Sequence, residues 1–164
     1  INYGLIVEIT MSEEIQQEPR YQETYEDKLK AIQSKWVDKV KSLNEKMKSL
    51  ATLESLLNEI YSERQNACDY YFSLLGILSK LSRKYKVEYA SKYTYYKTQS
   101  QIRFSSDSSI NTQIEADLEE IRSQISLVDN HAKYMQETIK TIDNLIYGVN
   151  NKIRVYELIN GVKH

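Results

Sequence analysis

Between Ile110 and Asn160, apolar residues recur at alternating steps of four and three. One series is Leu118, Ile125, Ala132, Ile139, Ile146 and Ile153. The other is Ile114, Ile121, Val128, Met135, Ile142, Val149 and Tyr156. This is a heptad repeat with apolar a and d positions, held for about six heptads, and it predicts one long helix in a coiled coil. At ~1.5 Å per residue that helix would be roughly 75 Å long. Such a helix cannot bury its stripe on itself, so the pattern calls for partners.

A second array begins at Leu29. Leu29, Trp36, Leu43, Leu50, Leu57, Tyr71, Leu78 and Tyr85 fall seven apart, with Arg64 in the one polar slot. Ile32, Val40, Met47, Leu53, Ile60, Ala67, Leu74 and Leu81 form the companion series. A single helix over this array would outrun its partner. A break is therefore expected between Leu43 and Leu57, leaving Leu29–Met47 as an arm. Thr98 to Ser109 is polar and serine-rich, and Ser or Asp there can N-cap the helix that follows. A short polar turn between two long heptad helices predicts an antiparallel hairpin. Gly148 is a candidate stop, but the heptad phase survives it, so helix is expected to about Leu158. The expected fold is all-α: a long antiparallel, coiled-coil-like helical hairpin with an N-terminal helical arm.

Toward the C-terminus the apolar surface widens to take in Leu145, Val155, Leu158, Ile159 and Val162. A broad apolar stripe of this kind predicts a subunit contact. The expected interface of a homo-oligomer is Ile139, Ile146, Val149, Ile153 and Tyr156. β-Branched residues at both a and d favour assemblies larger than dimers.

Residues 28–161 read as one helical domain. Residues 1–27 are an acidic lead-in with Pro19 and no helical periodicity, expected to be disordered. Met11, followed by Ser12-Glu13-Glu14, is an expected start, with residues 1–10 upstream of it; a weakly structured tail is the alternative. No stretch is apolar enough to span a membrane. The lone Cys68 has no partner for a disulfide within the chain, which suits a reducing, cytoplasmic setting. Its spacing is that of a small core residue.

The chemistry of catalysis is missing from the pattern. Gly4, Gly76, Gly148 and Gly161 are scattered rather than gathered in a phosphate-binding loop. His131 reads as a surface residue beside the heptad seam. Glu115, Asp117, Glu119 and Glu120 read as a solvated helix start. Neither an enzyme nor a metal or cofactor site is expected.

Charge changes the picture. The formal net charge is only −1. Yet Lys80, Arg83, Lys84, Lys86, Lys92, Lys97 and Arg103 lie in one segment against Glu88 alone. Tyr85, Tyr89, Tyr93, Tyr95 and Tyr96 are interleaved with them. Cations that neutralise phosphates, together with flat rings that stack on bases, are what single-stranded nucleic acid requires. Tyr85, Tyr89, Tyr93 and Tyr96 share a helical face, however, and an aromatic stripe at helical spacing also packs. Tyr85 and Tyr89 are expected in the core.

Three motifs resemble the UvsY family of phage recombination mediators, in that family's order. They are Lys28-Leu29-Lys30-Ala31-Ile32-Gln33-Ser34-Lys35-Trp36, then Lys92-Tyr93-Thr94-Tyr95-Tyr96, then the long C-terminal helix with Asn150-Asn151-Lys152. Lys97-Thr98 stands where the family has Gly after the Tyr pair, and Ala90 stands at a second basic position. The resemblance implies a ring-like oligomer in the host cytoplasm. It would bind single-stranded DNA and help a phage recombinase displace the single-strand-binding protein. By motif, Lys92, Tyr95 and Tyr96 would contact DNA; by charge, so would Arg83, Lys84, Lys86, Lys97 and Arg103. A structural or adaptor coiled coil, such as a virion or scaffold component, is the competing class. A membrane-surface helix pair fits less well, since its apolar face would be rich in Leu or Phe rather than Tyr.

Overall fold

The computed structural model describes residues 24–161, and among them the regular structure is helical. Helix α1 runs Tyr25–Lys46, a 3-10 turn covers Leu50–Thr52, and α2 runs Leu53–Thr98. Helix α3 runs Asp107–Asp117 and α4 runs Glu119–Ile159. The all-α expectation holds. No helix among the described residues is long and apolar enough to cross a membrane. The expectations for residues 1–23, including the start at Met11, and for Val162 lie outside the described residues.

The expected lead-in ends earlier than residue 27. Thr24 caps α1: its Oγ1 accepts from Asp27 N at 3.2 Å, and Asp27 Oδ2 accepts from Thr24 N at 3.1 Å. This reciprocal capping box satisfies two amide donors at the helix start.

The break expected between Leu43 and Leu57 falls at Met47–Thr52. Burial changes register across it. Helix α1 buries Leu29, Trp36 and Leu43, from the first heptad series. Helix α2 buries Leu53, Ile60, Ala67 and Leu74, from the second, together with Leu56. The most deeply buried positions thus pass from one series to the other across the break, while members of both, such as Ile32 and Val40 on α1 and Leu57 and Leu78 on α2, line the core.

Helix α2 packs along α4 and, toward its C-terminal end, on α3. Arg64 meets Asp143, Tyr70 meets His131, Tyr85 meets Glu115 and Tyr89 meets Asn111, so partner numbers fall as those of α2 rise. Val128, Met135, Ile142 and Val149 are fully buried here with Ile60 and Ala67. Helix α1 lies along one flank, where Trp36 and Leu43 join the same core. Lys39–Glu63 and Lys46–Glu59 pair α1 with α2. Lys152 Nζ donates to the Met47 carbonyl at 2.8 Å, so α4 completes the end of α1.

The single helix expected from Ile110 to Asn160 is instead two. The backbone turns at Leu118 (φ −101°, ψ 9°), although Leu118 N still donates to Ile114 O and Arg122 N to Leu118 O. Heptad spacing back from Leu118 points to Asn111, which is exposed, whereas Ile110 is the residue buried. Ile110, Ile114, Leu118 and Ile121 all reach one cluster with Tyr85, Tyr89, Tyr93, Tyr96 and Phe104. Gly148 does not stop α4, consistent with the surviving heptad phase.

Three further expectations are corrected. Val149 is 0 % exposed within one chain, so it is core and not interface. Cys68 is only half-buried, with Arg64 Nη1 at 3.8 Å from its sulfur. His131 is not a surface residue: it is 5 % exposed, with Nε2 3.1 Å from the Tyr70 hydroxyl and Tyr134 stacked on its ring.

Burial holds the His131 pKa below its ordinary value of 6.5. The neutral imidazole is therefore the form the fold favours. Stability tied to it is complete above the unfolded pKa and lost as pH falls below about 6.5. Denaturant midpoints are expected to drop between pH 7 and pH 5, and His131→Gln should flatten that dependence. An unchanged pH profile in the variant would remove His131 as the cause.

Candidate nucleic-acid interface

The C-terminal third of α2 is a continuous helix with two different faces. Its inner face carries Tyr85, Tyr89, Lys92, Tyr93 and Tyr96 at helical spacing and packs on α3 and the start of α4. Its outer face carries Lys80, Arg83, Lys84, Val87 and Thr94, all exposed. Lys86 and Lys97 flank the inner face on one side and Tyr95 on the other.

On the inner face, each tyrosine hydroxyl finds a partner. Tyr85 donates to Glu115 Oε1 at 2.6 Å and Tyr89 to Asn111 Oδ1 at 2.9 Å. Tyr96 donates to Asp117 Oδ2 at 2.5 Å, and Tyr93 accepts from Lys97 Nζ at 3.1 Å. The bond to Glu115 stabilises the neutral phenol and pushes the Tyr85 pKa up to about 12. Tyr96 is raised for the same reason, by its bond to Asp117. The rings bury apolar area against Ile110, Ile114 and Leu118 while the hydroxyls stay satisfied, as buried tyrosines require.

Asp117 is the hub. Besides Tyr96, it accepts from Lys92 Nζ at 2.9 Å (Oδ2) and from Gln113 Nε2 at 2.9 Å (Oδ1). These donors stabilise the carboxylate, Tyr96 foremost, and bring its pKa down to about 2. Reciprocally, the bond to Asp117 raises Lys92. Lys97 is raised by its bond to Tyr93 and by Asp107, whose carboxylate lies 3.5 Å away. Its ammonium also sits 5.2 Å over the Tyr93 ring.

The structure thus divides the sequence-predicted residues. Lys92, Tyr96 and Lys97 are already engaged by α3. Arg83, Lys86 and Arg103 are exposed and make no ion pair among the described residues, as is true of Lys80. Lys84 has only Glu88, at 3.8 Å. Tyr95 is 50 % exposed, touches the Tyr96 ring edge-on at 5.4 Å, and borders a shallow depression with Ser91, Lys92, Thr94 and Gln99. Arg103 sits apart in the connector. The acids of α3 read from sequence as a solvated helix start are here partners of the tyrosines and Lys92. Their roles depend on which turn of α3 faces α2.

No group of three or more His, Cys, Asp or Glu side chains placed to hold a metal occurs among the described residues. Comparison with known protein families, curated proteins and solved structures finds no match for this chain.

The Asp117 hub has an acid signature. Its carboxylate ordinarily titrates near 3.8 and here near 2. The stability it contributes is therefore complete above about pH 4 and lost as pH falls from there towards 2. Carboxyl NMR titration should place Asp117 near 2, below its ordinary value of 3.8, and Tyr96→Phe should raise it. A value near 3.8 in the intact protein would mean that the hub is not formed.

Proposed function

We propose that this chain binds single-stranded DNA without sequence preference along the outer face and flanks of the C-terminal third of α2. In this reading it is a recombination mediator of UvsY type. The supporting observation is that Lys80, Arg83, Lys86 and Arg103 are exposed without ion-pair partners among the described residues, in the segment that also exposes Tyr95. Phosphates supply the missing counter-charges, and Tyr95 offers a face to a base. Loading of a phage recombinase onto DNA covered by single-strand-binding protein rests on the motif resemblance, as does placement in the host cytoplasm.

In this reading the chain is an antiparallel helical hairpin that works as a homo-oligomer. Ile139, Ile146 and Ile153 are half-buried, Tyr156 is exposed, and Leu158 and Ile159 are 80 % and 77 % exposed at the end of α4. An oligomer covers this surface and repeats the basic face, so weak contacts multiply by avidity.

The second reading, a structural or adaptor coiled coil, is favoured by the inner face. Four of the five tyrosines pack or bond to α3, which a scaffold protein would also require.

A salt-titrated assay on labelled single-stranded DNA separates the two. Affinity should fall by about 0.7 log units per log salt for each phosphate neutralised. Arg83→Ala with Lys86→Ala should flatten that slope. Tyr95→Ala should weaken binding by up to about 1–3 kcal/mol and leave the slope alone. No measurable binding by the folded protein at low salt would leave the scaffold reading standing.

Sedimentation tests assembly. The protein should be oligomeric at micromolar concentration, and Ile146→Asp with Ile153→Asp should dissociate it, because unpaired charge in an apolar contact is costly. A stably folded wild-type monomer would overturn the assembly.

A further inference from the structure

We infer that α3 carries an internal stand-in for phosphate: the Asp117 and Asp107 carboxylates occupy cation sites that a bound strand competes for, which restrains the protein's own affinity for single-stranded DNA. The inference rests on the proposed single-strand reading and adds a regulatory element to it.

Three donors converge on one carboxylate. Lys92 Nζ and Tyr96 Oη come from α2, at 2.9 and 2.5 Å, and Gln113 Nε2 comes from within α3, at 2.9 Å. Lys92 and Tyr96 both donate to Asp117 Oδ2, and a cation and a hydroxyl directed at one oxygen are also what fixes a backbone phosphate, where Lys and Tyr are common donors. At the other end of α3, Asp107 lies 3.5 Å from Lys97 Nζ, and Lys97 also donates to the Tyr93 hydroxyl. The two carboxylates are the last and first residues of α3, so one short helix presents an anion to the cations of successive turns of α2.

Exchange does not require α3 to leave. Ile110, Ile114 and Leu118 hold it in the tyrosine cluster. The carboxylates stand on its ends, and Asp117 adjoins the kink at Leu118. Rotation of two side chains releases Lys92, Tyr96 and Lys97 to the strand. Exposed ion pairs of this kind are weak and screened by salt. A polyanion that meets the unpaired outer-face cations first is then positioned to displace them.

The contacts define a mutant cycle. The probe is fluorescein-labelled oligothymidylate, titrated with the full chain at several salt concentrations, with helicity and melting recorded for each variant. Asp117→Asn should tighten binding by about two- to five-fold, the range an exposed ion pair is worth. It should also steepen the salt slope by up to about 0.7, the share of one phosphate contact that Asp117 withholds in the wild type. Lys92→Ala alone should weaken binding, but by less than it does in the Asp117→Asn background, because Asp117 withholds that lysine from part of the bound strands. Lys92→Ala combined with Asp117→Asn should cancel the gain. Should Asp117→Asn fail to fold, Asp107→Asn with Lys97→Ala runs the same cycle at the other clamp.

A gain that survives in the Lys92→Ala background would be bulk charge removal and would overturn the inference. So would wild-type binding that Asp117→Asn leaves unchanged; the single-strand reading would then stand alone. Absence of binding by every folded variant would overturn both.

Discussion

A long helix with an apolar stripe has no interior of its own. Everything else in this protein follows from how the stripe of α4 is covered. Helix α2 lies along it, and the contact fully buries Val128, Met135, Ile142 and Val149. Each such side chain contributes about 1.5–3 kcal/mol on leaving water, so this seam outweighs any of the exposed ion pairs around it. Helix α1 covers one flank of the seam with Trp36 and Leu43. Helix α3 caps the far end, where Tyr85, Tyr89, Tyr93, Tyr96 and Phe104 close over Ile110, Ile114, Leu118 and Ile121.

Periodicity made most of this fold legible. Heptad spacing identified the stripe of α4, and two interleaved series identified the buried faces of α1 and α2. The need for a break was legible too, because a single helix would have outrun its partner. Its position was not, since both series continue through it: Leu43 and Leu53 each sit correctly in their own array. The kink at Leu118 was hidden for a different reason. Neither Pro nor Gly marks it, and apolar residues continue on one face through it at Ile114, Leu118 and Ile121.

The candidate site was legible as composition rather than as geometry. A cluster of Lys, Arg and Tyr can be counted in a sequence, but which members already have partners cannot. Asp117 is 21 residues from Tyr96 and 25 from Lys92. Nothing local in the chain announces that all three meet. The same holds for His131, which sits among polar neighbours in sequence and among Tyr70 and Tyr134 in space.

The bond from Lys152 to the Met47 carbonyl spans 105 residues. Carbonyls at a helix C-terminus have no intrahelical donor, and here one of them is satisfied by the last helix of the chain. Closing so long a loop costs more entropy than closing the turn between α2 and α3. Helix α1 is also joined to α2 across the short Met47–Thr52 break, where Lys46 pairs with Glu59. Its C-terminal end is therefore clasped twice, once by its neighbour in the chain and once by the helix farthest from it in sequence.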